Sequence, residues 1–300
     1  MTDVNNEGKQ NSTRLNAQNS TSSSWWSLPP AIRRVFDRFP LVTISANDLP
    51  QRAPRNRNEN VLYIFQSDDP RRRDAPSFNP SCLKWQAYLK FHGIPFRTRS
   101  SNNHAAPTGA LPFLLPAPKD ASRPSSPVPA SRLRRWVISQ GGKEESFHMR
   151  QEAYIALIDH AIRSAWLYYL YLDQVNFKAV AWPLYVASAS SSQPVRLSLA
   201  KQLQSAAREE LLKANTIIDP QDLYAQAEQA FQALSTLLAD NHFFFGQTTP
   251  GFFDASLLAY TQIILDDSLN FGTPTLKRVL QQYDNLIQHR DRLIRGFFSG

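Results

Sequence analysis

The stretch that most constrains this chain is Phe252 to Leu265, fourteen residues that are apolar almost all the way round when coiled as a helix. At that length the helix is too short to cross about 30 Å of hydrocarbon. A helix without a polar face belongs at the centre of a bundle, walled by other elements. The chain must therefore build a body around it, and 300 residues suffice for two ordinary domains of roughly 100–150 residues each. The other strongly apolar window, Ala165 to Ala187, is interrupted by Asp173 and Lys178 and reads as soluble helix. At the start, Asp3, Glu7 and the lack of an apolar run exclude a secretory signal and argue against a transit peptide.

The walls of the bundle are visible from Glu144 onward, where apolar residues recur three and four apart. Tyr154, Ile155, Ile158, Ile162, Ala165, Trp166 and Tyr169 mark an amphipathic helix from Gln151 to Leu172. Leu223, Ala227, Ala230, Phe231, Leu234, Leu237 and Leu238 mark another from Asp222 to Leu238. A last helix is expected from Pro274 to Phe297, ending in a basic turn with Arg290, Arg292 and Arg295 that suits the C-terminal end of the helix dipole.

Upstream the period changes. VLYIFQ, starting at Val61, has the length and β-branched character of a buried strand. A helix follows from Asn79 or Pro80 to His92, with Leu83, Ala87 and Phe91 on one stripe and Gly93 as its stop. Pro95 to Arg99 is a second strand, and Gly109 to Pro116 a third, entered through Leu111-Pro112. Strand, helix, strand, loop, proline, strand is the order of a thioredoxin-like half. Residues 61–142 are assigned to it, with a Pro/Ser-rich insertion at 117–130 and a short apolar stretch, Trp136 to Ile138, beyond. Residues 143–300 form the all-α half. Residues 1–24 have too little to bury and are expected to be a disordered tail. Residues 25–60 join Trp25, Trp26, Phe36 and Phe39 to Arg33 and Arg34, then run into a polar linker. That segment fits either a short helix packed on its own domain or an arm that docks on a protein or membrane surface.

Charge is uneven. Residues 1–150 hold 22 Lys/Arg against 11 Asp/Glu, whereas residues 151–300 hold 11 against 14. A basic front part implies an anionic partner: nucleic acid, lipid or acidic protein. Arg71, Arg72 and Arg73, with Arg132, Arg134 and Arg135, flank the α/β half and could form one positive face. The aromatic platforms of a nucleic-acid reader are not visible beside them. A lipid surface gains roughly 1 kcal/mol per basic residue, enough for a peripheral tether. One cysteine, Cys82, excludes an intrachain disulfide, and six scattered histidines show no metal or catalytic spacing.

Particular segments then become familiar. NPSCLKWQAYLKFHGIPF, the Thr108-Gly109-Ala110-Leu111-Pro112-Phe113 turn, EAYIALIDHAIRSAWLYYLYLD and HFFFGQTTPGFFDASLLAYTQIIL follow one another as in the metaxin family, whose members resemble glutathione transferases in fold. The resemblance spans roughly 61–298, and its most specific parts are Phe243-Phe244-Phe245-Gly246 with Asp254 eight residues on, and the Ala165-Trp166-Leu167 helix face. It implies an α/β thioredoxin-like domain followed by an all-α glutathione-transferase-like domain. It also implies a non-enzymatic place in the sorting and assembly machinery of the mitochondrial outer membrane. The absence of a C-terminal anchor and the arm LPPAIRRVFDRFPLVTI are similar to the peripheral, cytosol-facing fungal member. The implied partners are the β-barrel core subunit, a second metaxin-like subunit, the sorting signal of β-barrel precursors and the membrane surface, but no nucleic acid.

The same resemblance marks the residues to watch. Trp25, Trp26, Arg33, Arg34, Phe36 and Phe39 are candidates for partner docking; Arg71, Arg72, Arg73, Leu111, Arg132, Arg134 and Arg135 for the precursor signal or an anionic surface. An extended ligand could pair with backbone at Leu111 if the bond to Pro112 is cis. Pro112, Gly246 and Asp254 are expected to be critical for folding, Asp254 as the acidic member of a capping box whose usual Ser or Thr is here Gly251. A working transferase also requires a hydroxyl or thiol near the end of the first strand, for which Ser77, Ser81 and Cys82 are candidates. It further requires an acid–hydroxyl pair after the proline-entered strand, and Arg132 to Gln140 contain no acid. Neither catalytic, cofactor nor metal-binding residues are therefore expected; a transferase-like enzyme and a free-standing interaction module remain the competing readings.

Overall fold

The computed structural model describes residues 59–66, 75–118, 125–143, 145, 149–214 and 216–298. The expected tail, the arm from Trp25 to Phe39 and the Arg71-Arg72-Arg73 loop lie outside these residues. Residues 55–300 form one compact unit.

Its α/β half is a four-stranded sheet. Strand β1 (Val61–Ile64) is central, β2 (Arg97–Ser100) runs parallel to it, and β3 (Phe113–Leu115) and β4 (Val128–Pro129) follow antiparallel, in the order β2-β1-β3-β4. Val61, Leu62 and Ile64 are buried, as a strand covered on both faces requires. At one edge, Arg97 and Arg99 are exposed, which discourages pairing with another chain. The third strand is shorter than its apolar run, the Leu111 N–H turning away to the Asn103 side chain, 3.0 Å off; the bond between Leu111 and Pro112 is cis. The expected insertion at 117–130 does not stay irregular to its end. Val128 pairs with Leu114, and Pro129 sits on the sheet edge, where its missing N–H costs no ladder bond. Helix α2 (Ala130–Ser139) follows directly, burying Leu133 and Val137; its arginines and short apolar stretch concealed the helical period.

Helix α1 (Pro80–Phe91) starts as its sequence dictates, with Pro80 in the first turn and the Asn79 side chain accepting the Cys82 N–H at 3.2 Å. Its burial goes beyond one stripe: Cys82, Leu83, Trp85, Gln86, Ala87, Tyr88 and Leu89 are all covered.

The helical half runs through α3 (residues 149–172), α4 (174–187), α5 (Gln193–Leu212), α6 (Pro220–Leu238), α7 (Phe252–Leu265), α8 (Thr275–Leu280) and α9 (Asp284–Phe297). Helix α3 is not uniform, because π-turns at Ile158–Ile162 and Tyr168–Leu172 interrupt it. The expected single helix from Pro274 to Phe297 is two. Its break at Tyr283 lets that side chain pack on Phe231 and donate to the Glu228 carbonyl at 3.3 Å, a tertiary contact that overrides an unbroken period. Of the three arginines expected in a basic last turn, only Arg295 is there; Arg292 donates to the His242 carbonyl at 2.8 Å.

Helix α7 is the central element. Phe253, Leu257, Ala259 and Tyr260 belong to the core of the helical half, while Ala255 and Leu258 join the core shared by the sheet, α1, α2 and α9. Two cores on opposite sides explain an apolar surface that goes all the way round. Two of its hydroxyls are satisfied within the helix: Ser256 Oγ donates to the Phe252 carbonyl and Thr261 Oγ1 to the Leu257 carbonyl.

Candidate functional site

The three candidate nucleophiles stand at the end of β1 and the start of α1. Ser77 is buried; its hydroxyl donates to the Phe65 carbonyl at 2.5 Å and its N–H goes to Gln86 Oε1 at 2.9 Å, which ties it to structure. Ser81 is exposed. Cys82 is wholly covered and free of any disulfide, and burial pushes its thiol up to about 12. The helix N-terminus that would favour a thiolate loses to desolvation, so the sulfur is a protonated core group at neutral pH.

The expected ligand-pairing position is likewise engaged. Leu111 is 6 % exposed, and its N–H is given to Asn103. The Leu111 N–H that an extended ligand would use is taken by an acceptor of the chain itself. At the start of α2 the cap is Pro129, without a side-chain bond, and the first turn holds no acid. Beside α1 lies a cleft of about 460 Å³ lined by Ser81, Lys84, Asp159, Arg163, Glu210 and Tyr260. Its charges largely answer one another. Arg163 and Glu210 pair at 2.8 Å, and the hydrogen bonds from Lys213 and Arg163 lower the Glu210 carboxyl. Burial lowers the Lys84 ammonium, against the pull of Asp159.

The arginines separate on inspection. Arg132 and Arg135 are exposed on α2, whereas Arg134 turns inward, donates to the Glu145 carbonyl at 2.6 Å and lies 5.8 Å from the centre of the Phe252 ring. Arg134 is thus half-buried and tied to Glu145 and Phe252, unlike its two exposed neighbours.

The most organised polar constellation surrounds the start of α7. The turn Phe244–Gly246 places Phe245 and Gly246 at positive φ, 58° and 66°, a conformation that glycine adopts without strain. It aims the Phe244 N–H at Asp254 Oδ1, 3.1 Å away, while Oδ2 accepts the Gly251 N–H at 2.9 Å. The reciprocal half of the box is missing, since Gly251 has no side chain to offer. A third group completes Asp254: His289 of α9, fully buried, with Nε2 at 2.8 Å from Oδ1. His289 Nδ1 has no hydrogen-bond partner, so Nε2 is the ring nitrogen through which His289 is held. Asp254 therefore ties the Phe244 turn, α7 and α9 together. Glu145, from the segment between α2 and α3, meets the same helix start, accepting the Phe252 N–H on both carboxylate oxygens. Burial and the Glu145 charge push the nearby Tyr88 phenol upward. Glu145, His289 and Asn103 carry no sequence motif; the one signal that pointed toward them is a glycine where the cap of a buried helix ordinarily brings its own oxygen.

Among the described residues no three His, Cys, Asp or Glu side chains converge as metal ligands would. No helix among them is long and apolar enough to cross a membrane.

A small α/β sheet followed by helices around a capped central helix makes a glutathione-transferase-like fold. Residues 80–176 match the glutathione S-transferase N-terminal domain family and residues 227–293 the glutathione S-transferase C-terminal domain family. Metaxin-3 of Xenopus laevis is 26 % identical over 236 residues, covering 74 % of this chain and 73 % of that protein. Metaxin-3 of Danio rerio is 26 % identical over 236 residues, covering 75 % and 73 %. Among solved structures, the glutathione transferase GSTFuA3 of Phanerochaete chrysosporium is 14 % identical with a TM-score of 0.45, covering 76 % of this chain and 97 % of that one. The chain carries a glutathione-transferase-like fold and is similar in sequence to the metaxins.

Proposed function

We propose that this chain is a non-enzymatic adaptor or receptor subunit of the mitochondrial sorting and assembly machinery, assisting recognition and insertion of β-barrel precursors. It lies peripherally on the cytosolic face of the outer membrane, beside the β-barrel core subunit and a second metaxin-like subunit, and takes no nucleic acid. The observation that carries this reading is that two groups a transferase would use are engaged within the chain itself, in a fold whose curated relatives are metaxins. The thiol is buried and held at about 12, and the Leu111 N–H is already bonded. What remains for an anionic partner is the exposed pair Arg132 and Arg135, with Arg71, Arg72 and Arg73 as further candidates. Trp25, Trp26, Arg33, Arg34, Phe36 and Phe39 are the proposed docking arm.

The competing reading, a transferase, is separated by titrating the purified full chain with glutathione and assaying conjugation. The expected result is no saturable binding at micromolar concentrations and no thiol transfer. Micromolar affinity together with transfer would establish an enzyme instead.

A further inference from the structure

The cleft beside α1 gathers hydrogen-bond donors that the described residues leave unanswered. It opens where the small side chains of Ser256 and Ala259 on α7 leave room between α1 and α3, and its volume is about 460 Å³. Lys84 stands on the α1 wall, and its Nζ has neither an ion pair nor a hydrogen bond among the described residues. The ammonium lies instead over the Phe252 and Trp85 rings, 5.2 and 5.8 Å from their centres. Ring faces attract its charge but leave its three N–H groups without an oxygen. Burial lowers this ammonium, so hydration has been lost and no carboxylate has replaced it. On the α7 wall Tyr260 is 8 % exposed, and its hydroxyl is likewise without a partner among the described residues. Burial raises that phenol, which keeps it an O–H donor at neutral pH. On the α3 wall Arg163 gives only Nη1 to Glu210, at 2.8 Å. The carboxylates do not match these donors: Glu210 is shared by Arg163 and Lys213, and the exposed Asp159 forms no ion pair among the described residues. A thiol would lie elsewhere. Cys82 precedes Lys84 by two residues, about 200° around the helix, and is buried with Leu111 in the core on the sheet side.

We propose that this cleft binds a small molecule through an oxyanion, a phosphate or a carboxylate, held between Lys84, Arg163 and the Tyr260 hydroxyl. The ammonium and the guanidinium supply charge from two walls, and the phenol a directed O–H from the third. The rings beneath Lys84 already hold its side chain, so binding costs little further ordering. Asp159 is the opposing charge in the same cleft. It weakens the hold on any anion, and its removal tightens binding.

The test is thermal unfolding of the full chain at pH 7 in sodium phosphate and in sodium acetate, with sodium chloride at equal ionic strength as the control. At about tenfold the half-saturating concentration an oxyanion is expected to raise the Tm by about 3–5 °C, and chloride is not. A response to phosphate alone marks a phosphate ligand, and one to acetate alone a carboxylate. Lys84→Met, which keeps the apolar stem, abolishes the saturable rise, and Tyr260→Phe raises the half-saturating concentration severalfold. Asp159→Asn lowers it severalfold. A rise of the same size in Lys84→Met as in the native chain, or no saturable rise with either oxyanion, overturns the proposal. Should Lys84→Met not fold, the exposed Asp159→Asn decides alone, and an unchanged half-saturating concentration overturns the proposal equally.

Discussion

Replacing Asp254 with alanine is expected to lower the Tm by on the order of 10 °C, with all probes of the folded unit melting together. The carboxylate is buried and accepts from three donors on three segments: the Phe244 and Gly251 N–H groups and His289 Nε2. Its removal leaves them without that acceptor in a dry interior, a loss of about 3–5 kcal/mol, and each kcal/mol moves a domain of this size by roughly 2–4 °C. His289→Ala should cost less, because Asp254 keeps both backbone donors. The two substitutions together should fall short of their sum by about 1 kcal/mol or more, as for residues in direct contact. Thermal unfolding of the three variants followed by circular dichroism measures this. A Tm for Asp254→Ala within about 2 °C of the native chain would mean that the donors find other acceptors and that Asp254 does not hold the turn.

A comparable loss is expected at Leu257 and at Leu258, adjacent residues whose side chains enter different cores. Leu257 is buried among the helices, whereas Leu258 is buried against the sheet and α1. Truncating either to alanine should cost about 2–5 kcal/mol through lost burial and the cavity left behind. Because α7 is common to both cores, either substitution should weaken hydrogen-exchange protection in β1 and in α6 alike. If Leu258→Ala loosened β1–β3 while α6 kept its full protection, the two halves would be separate folding units and α7 would belong to one of them.

How far these features are legible in the sequence depends on whether their cause is local. Helix α7 is readable to the residue, because an apolar surface on all sides has only one place to go. The same holds for the start of α1, where Asn79 and Pro80 act within one turn. Strand β4 escaped because two residues paired across a proline-rich stretch leave no period to read. The break at Tyr283 escaped for the opposite reason: the period continues through it, and only the partner residues on α6 impose the kink. In the site, the role of Asp254 follows from its spacing to Gly251, but His289 and Glu145 reach the same helix end from positions 35 and 107 residues distant. Arg134 illustrates the limit for charge: in sequence it matches Arg132 and Arg135, and only the fold turns it inward onto Glu145.

These particulars support one account. A glutathione-transferase-like scaffold has its strand, its proline and its central helix in place, while Ser77, Cys82 and the Leu111 N–H are engaged within the chain. Cys82 has become core, and Asn103 fills the place of a ligand at Leu111. The function proposed for such a scaffold is exercised by its surfaces, toward partner chains. The measurement that tests this most directly is isolation of the tagged full chain from mild-detergent extracts of its cell's mitochondria, with the co-isolated chains identified. The account predicts recovery with an outer-membrane β-barrel protein, stable to high salt and lost when the barrel itself is dissociated by detergent. Recovery of the chain alone, from the soluble fraction, would contradict it.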